Sequence, residues 1–235
     1  MINFSPALLN AYKKNDSILK LLLSSNDKFD QQFTSHKWLL DSVSKRLVFY
    51  YMYGDLLEDG EKKSVLDVGG GYTSITKEFI KRHDYTLLDI MAHDDHSKLK
   101  KLERKIGVPF WKNTDWYNFK LKKKYDLIIA NDLFPNVDQR LEAFIKKYLP
   151  VAKEIRISLT YYNSPRFYKV KRFGADEIFF IVPWNEVQVA QALTPFKKYI
   201  ARYKSAIFKK HSKSIFANGR SVVMIKISSD KSKKV

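Results

Sequence analysis

The sequence predicts an α/β protein: a mostly parallel sheet with an antiparallel C-terminal hairpin and a helical cap at the N-terminus. Three observations predict it. Val65, Leu66 and Val68 form a short apolar run, suited to a strand buried on both faces, that runs straight into Gly69-Gly70-Gly71. A second buried run, Tyr125-Asp126-Leu127-Ile128-Ile129-Ala130, lies about 60 residues on. Between and after them, strand-like and helical periodicities alternate, the pattern of a layered α/β domain. The expected organisation is a helical cap over residues 1–60, the sheet domain over 61–228 and a frayed basic tail over 229–235.

In the cap, Ser5-Pro6 reads as a helix start, with Ser at the N-cap and Pro at the first helical position. A helix through about Tyr12 and another over Ile18 to Leu23 follow. Thr34 or Ser35 then opens a longer helical stretch in which Leu39, Val43 and Leu47 recur every four residues, with Gly60 as its stop. Its aromatic face, including Tyr50 and Tyr51, fits either packing on the sheet or a lid over a substrate.

The glycines allow a tight turn and close approach of a ligand. Thr73 or Ser74 is placed to cap a following helix with Ile75 and Phe79 on one face. Strand, glycine turn and helix N-terminus together form a nucleotide-type ligand cradle; packing alone is the plainer reading. Tyr85 to Asp89 is the second strand, ending in an acid about 20 positions past the turn, where a carboxylate accepts both hydroxyls of a ribose. Ala92 to Lys105 reads as a helix with Leu99, Leu102 and Ile106 inward, and Val108 to Trp111 as a short third strand. The strand from Tyr125 ends in Asn131-Asp132, at the carboxyl edge where open α/β sheets bind ligands. A helix bearing Leu141, Phe144, Ile145 and Tyr148 leads to a fifth strand, Glu154 to Thr160.

Tyr161 to Phe173 is basic and aromatic, with Tyr161, Tyr162, Arg166 and Tyr168 as candidate substrate-binding residues. A surface segment whose aromatics pack back on the domain explains the same composition. Glu177 to Val182 is strand-like, and Asn185 with Gln188 makes a capping-box start for a helix through about Leu193. Tyr203 to Phe208 and Ser221 to Ile227 form the expected antiparallel pair, with Asn218-Gly219 as the turn before the last strand.

The segment Asp67-Val68-Gly69-Gly70-Gly71-Tyr72-Thr73 resembles the D/E-x-G-x-G-x-G signature of class I, Rossmann-like S-adenosylmethionine-dependent methyltransferases, with Thr73 standing where the last glycine would be. The resemblance spans roughly Glu61 to Ile227. It implies S-adenosyl-L-methionine as cofactor, held by Asp67, Gly69, Gly70, Gly71 and Asn131, with Asp89 on the ribose. Asp115 is then placed for the adenine amino group and Trp116 for covering the ring, although Asp115 also suits an Asx turn. Asp132 is the first candidate for base or substrate orientation and His93 the second. The family's metal-dependent members carry an Asp-Asn pair after the fifth strand; here Tyr162-Asn163 stands there, and no metal is expected. The spacing Asn131 to Phe134 is similar to the N-P-P-Y/F motif of base-modifying members, without its prolines.

The chain has 235 residues, 45% of them hydrophobic, and no cysteine, so disulfides, thiolate ligands and a cysteine nucleophile are absent. No apolar run reaches the ~20 residues of a membrane span, and the N-terminus lacks a basic and apolar leader pattern. A cytoplasmic location is the expectation. The formal charge of +18 comes from 34 Lys and 9 Arg. It points to an anionic partner or to composition acting on exposed positions, since lysine is a solvated point charge and arginine the specific phosphate reader. The leading expectation is O-methylation of a small anionic or glycan-type acceptor, such as a sugar or nucleotide sugar. An RNA or DNA methyltransferase and a catalytically inactive cofactor-binding partner protein are the alternatives.

Overall fold

The computed structural model describes residues 1–25, 27–58, 60–162, 168–171, 178–209 and 213–229. After a two-residue strand, β1 (Ile2–Asn3), come four helices: α1 (Pro6–Lys13), α2 (Ser17–Ser24), α3 (Thr34–Asp41) and α4 (Val43–Tyr53). Ser5 caps α1 by accepting from the Leu8 amide, and Asp16 does the same for Leu19 in α2. The long helix expected from Thr34 is two helices. Ser42 leaves the helical region at φ −126°, ψ 106°, and its hydroxyl accepts from the Lys45 amide as the N-cap of α4. A cap serine competes with helix continuation by offering the backbone an alternative acceptor, and here it breaks the apolar repeat at Val43. The stretch also ends at Tyr53, ahead of Gly60.

The sheet domain then runs β2 (Ser64–Val68), α5 (Thr76–Arg82), β3 (Asp84–Leu88), α6 (His96–Ile106), β4 (Trp111–Lys112), β5 (Tyr125–Phe134), α7 (Leu141–Tyr148), β6 (Ala152–Tyr161), β7 (Tyr168–Lys171), β8 (Ile178–Ile181), α8 (Glu186–Leu193), α9 (Ala206–Lys209) and β9 (Ser221–Ser228). Among the described residues, seven strands form one sheet in the order β1-β9-β6-β5-β2-β3-β4. The pairs β2–β3, β2–β5, β3–β4 and β5–β6 are parallel, and β9 runs antiparallel to both β6 and β1. The antiparallel edge is therefore closed by Ile2–Asn3, and Tyr203–Phe208 is not its strand. That segment enters α9, with the Phe208 ring edge-on to Tyr161 at 5.8 Å and the Tyr161 hydroxyl donating to the Phe208 carbonyl. The strand expected near Glu177 is β8, paired only with β7 in a separate two-stranded sheet.

Alternate residues of the central strands feed two cores. Val65, Leu87, Leu127 and Ile129 pack with Leu47, Phe49, Met52 and Tyr53 of α4 on one face. Leu66, Val68, Ile128 and Ala130 pack with Phe144, Ile145 and Tyr148 of α7 and Val189 and Leu193 of α8 on the other. Each large side chain so buried contributes about 1.5–3 kcal/mol. The N-terminal helices are also pinned by ions: Arg156 of β6, buried, donates to the Met52 carbonyl at 2.8 Å and to both oxygens of Asp55 at 2.5 and 2.8 Å. The capping box at Asn185 and Gln188 is formed in both directions. No helix among the described residues is long and apolar enough to cross a membrane.

Candidate active site

The carboxyl ends of β2, β3 and β5 open on one cleft of about 640 Å3, walled on its other side by Ser35, Trp38 and Leu39 of α3 and Lys45, Val48 and Phe49 of α4. The three glycines after β2 are there for different reasons. Gly69, at φ +70°, faces the cleft. A side chain on Gly70 would meet the Asp67 carboxylate at 2.3 Å. One on Gly71, at φ +66°, would meet the Ser35 hydroxyl at 1.9 Å, so the glycine turn is also where α3 docks. Of the predicted residues, Gly69, Gly70, Asp89, His93, Asp115, Trp116, Asn131 and Asp132 line the cleft. Thr73, in place of a glycine, lines it too. Thr73 and Ser74 do not cap α5: both hydroxyls are buried without a partner, and Thr76 instead accepts from the Thr73 amide at 3.1 Å.

Asp67 lies beneath the turn, 3% exposed, and is not among the described residues lining the cleft. Its two oxygens accept from the Tyr53 hydroxyl at 2.9 Å and the Tyr85 hydroxyl at 2.6 Å. Burial outweighs these bonds and pushes its pKa up to about 7. Asp89 accepts from the Gly71 amide at 2.9 Å and the Met91 amide at 2.7 Å, so it both shapes the turn and presents a carboxylate to the cleft. Burial raises its pKa, against the pull of those two amides.

In the wall of the cleft Arg140 lies over the Trp116 ring at 4.7 Å and pairs with Asp115 at 2.9 Å and Asp138 at 2.6 Å. The other Asp115 oxygen accepts from the Tyr117 amide at 2.7 Å, forming the Asx turn its sequence allowed. Trp116 is held by its indole N–H, which donates to Asp138 at 2.7 Å.

Where β5 reaches the cleft it loses register with β6, between Ala130 and Phe134. Such irregularities re-aim side chains at strand ends. Ser158 of β6 donates to the Asn131 side chain at 2.8 Å and accepts from the Asp132 amide at 2.7 Å. Asp132, at φ +55°, takes Arg220 in a two-bond pair at 3.0 and 3.2 Å, with Lys45 at 3.7 Å. Burial works to raise its pKa, but Arg220 and then Lys45 outweigh it and hold the carboxyl below its usual range. Trp38 stands beside Lys45, whose ammonium is 4.7 Å from the ring centre, and His93 meets Trp38 edge-on at 5.2 Å.

Tyr161 and Tyr162 are core residues: Tyr161 is fully buried against α9, and the Tyr162 amide donates to the Trp184 carbonyl. Neither is among the described residues of the cleft wall. Arg166 lies outside the described residues, as does the side chain of Tyr168, whose backbone belongs to β7. Lys45, Trp38, Arg140, Phe216 and Arg220 were not marked by any motif. No cluster of three or more His, Asp, Glu or Cys among the described residues could hold a metal ion.

The sheet order, the glycine turn on its central strand and the antiparallel last strand define the class I methyltransferase fold. The particular structures it resembles include the DhpI–SAH complex, 14% identical, with 97% of this chain and 100% of that one covered at a TM-score of 0.51. Another is a Burkholderia thailandensis 1,6-didemethyltoxoflavin-N1-methyltransferase bound to 1,6-didemethyltoxoflavin and S-adenosylhomocysteine, 15% identical, covering 98% and 93% at a TM-score of 0.50. A third is the PH0226 protein of Pyrococcus horikoshii OT3, 13% identical, covering 77% and 90% at 0.50. No protein-family model and no curated protein matches the chain.

Proposed function

We propose that the chain is an S-adenosylmethionine-dependent methyltransferase acting on a small, anionic or glycan-type acceptor, by O-methylation. The observation that carries this reading is the convergence of Gly69, Gly70, Asp89 and Asn131, from three neighbouring strand ends, on one cleft. Its volume is in the range of small-ligand pockets, ~300–1,000 Å3. Fold and site fit the cofactor: Asp89 suits the ribose hydroxyls, and Trp116 with Arg140 offers a flat wall for the adenine. When bound, S-adenosylmethionine supplies a methyl group on a cationic sulfur.

The chain's own contribution is positioning, which is most of the work in an in-line displacement. Asp132, a carboxylate of lowered basicity held by Arg220, orients the acceptor by accepting from a hydroxyl beside the reacting one, and His93 takes the proton of the reacting hydroxyl. The electrostatics favour a small acceptor over a nucleic acid. Among the described residues lining the cleft, three cations (Lys45, Arg140, Arg220) stand against four carboxylates (Asp89, Asp115, Asp132, Asp138). A cleft of that balance suits a cationic cofactor, and the chain's +18 is carried elsewhere.

Calorimetric titration with S-adenosylmethionine, S-adenosylhomocysteine and NADH tests the cofactor. Micromolar binding of the first two and none of NADH is expected; the reverse, or no binding at all, overturns the reading. Release of S-adenosylhomocysteine with sugars and nucleotide sugars, set against RNA and DNA, then tests the acceptor. Turnover confined to nucleic acid rejects a small acceptor.

A further inference from the structure

Two ionic clusters that line the cleft differ in charge. Around Trp116 one cation, Arg140, faces two carboxylates, Asp115 and Asp138. Around Asp132 the balance is reversed: two cations, Lys45 and Arg220, face one carboxylate. We propose that Lys45 and Arg220, with Asp132 between them, form a seat for one carboxylate in the wall of the cleft. This deepens the function above and rests on it only for where the cofactor lies.

Four observations support the seat. The surplus in this cluster is a single positive charge, which matches a monoanion better than a phosphate dianion. Lys45 rests on the Trp38 ring at 4.7 Å and approaches Asp132 only to 3.7 Å, beyond hydrogen-bond length, and its side chain is 31% exposed. Arg220 is built in. It is 8% exposed, lies over the Phe216 ring at 4.0 Å, and its Nε–H is buried without a hydrogen-bond partner. Finally, Trp38 and Phe216 flank the two cations and keep the seat partly dry, where a charge-assisted hydrogen bond is strongest.

Two sources of carboxylate meet this description: the amino-acid end of the cofactor and an acidic acceptor. Isothermal titration of the full chain separates them, using wild type, Lys45→Met and Lys45→Arg. The probes are S-adenosylhomocysteine, 5′-methylthioadenosine, which lacks the amino-acid part, and the pair 4-hydroxybenzoate and 4-hydroxybenzamide. If the seat takes the cofactor's carboxylate, Lys45→Met weakens S-adenosylhomocysteine about tenfold, the loss expected for one charge-assisted contact, and leaves 5′-methylthioadenosine unchanged. If it takes the acceptor's, S-adenosylhomocysteine is unaffected. Protein saturated with it then binds 4-hydroxybenzoate about tenfold more tightly than the amide, and Lys45→Met abolishes that preference. In either case Lys45→Arg restores wild-type behaviour. Equal behaviour of wild type and Lys45→Met towards all four probes overturns the seat, and so does a parallel loss of 5′-methylthioadenosine. Failure of the wild type to bind S-adenosylhomocysteine rejects the cofactor reading instead; the benzoate and benzamide pair, titrated into the protein alone, then decides the seat.

Discussion

Asp67, buried, and Asp89, half-buried, are both carboxylates at the glycine turn, but they are satisfied differently. Asp89 is bonded by backbone amides of Gly71 and Met91 and still lines the cleft. Asp89→Asn keeps one of the two side-chain acceptors for that loop and removes the charge, so titration with S-adenosylhomocysteine should show binding weaker by about 1 kcal/mol or more. Unchanged affinity would place the ribose elsewhere. Asp67 is turned inward to Tyr53 and Tyr85, and its effect falls on stability. The unfolded chain ionises near 3.8 and the folded one near 7. Between those values the native state holds a proton that the unfolded state has lost. The contribution is thus complete below the lower value, falls as pH rises and is gone above about 7. Asp67→Asn has no such loss, so its melting temperature relative to wild type should rise from pH 5 to pH 8. A constant difference would show that Asp67 ionises normally.

The elements legible in the sequence are those whose signal is local. β2 and β5 each carry a short apolar run, and the Asn185–Gln188 capping box is a short-range pattern that the structure reproduces. What escaped depends on partners far along the chain. Ser42 ends one helix and caps the next, a choice the four-residue apolar repeat does not encode. Tyr203–Phe208 has strand-like residues but packs on α8 and Tyr161, with the Tyr203 hydroxyl donating to the Ala190 carbonyl. Arg220 reaches Asp132 across 88 positions, and no motif joins them. The third glycine shows the same limit: it was legible as room for a ligand, whereas the structure fills that room with Ser35 of α3. Gly71→Val should therefore destabilise the fold by about 1–3 kcal/mol through overpacking and a strained φ. Because part of that cost is the collision, Ser35→Gly should be less harmful in the Gly71→Val background than alone. Additive effects in thermal or denaturant unfolding would contradict the collision.

For the whole molecule, the N-terminal helices and the sheet form one structure around the cleft. Trp38 and Lys45 come from the first fifth of the chain, Phe216 and Arg220 from the last tenth, and all four line it. The charge follows a similar division, with the helix α6 exposing Lys100, Lys101, Arg104 and Lys105 on its outer face while the cleft holds more carboxylates than cations. Binding to a generic RNA duplex should then be weak and steeply lowered by salt, and addition of the duplex should leave S-adenosylhomocysteine affinity unchanged. Competition between them would bring the polyanion into the cleft.

The first strand carries a practical consequence. Ile2 and Asn3 pair in strand register with Met224 and Val223 on the outer edge of β9, the Phe4 amide continues the pairing to the Val222 carbonyl, and Ile200 bridges Ile227 further along the same edge. Without residues 2–4, Val222 to Met224 would present open amides and carbonyls on an apolar strand, a template for another chain. Deleting residues 1–4 should thus give concentration-dependent oligomers by sedimentation, whereas a tag placed after Ser228 should not. A monomeric deletion variant would mean that the edge is guarded by something else. Where a purification handle is attached will decide whether this protein stays in solution long enough to be assayed.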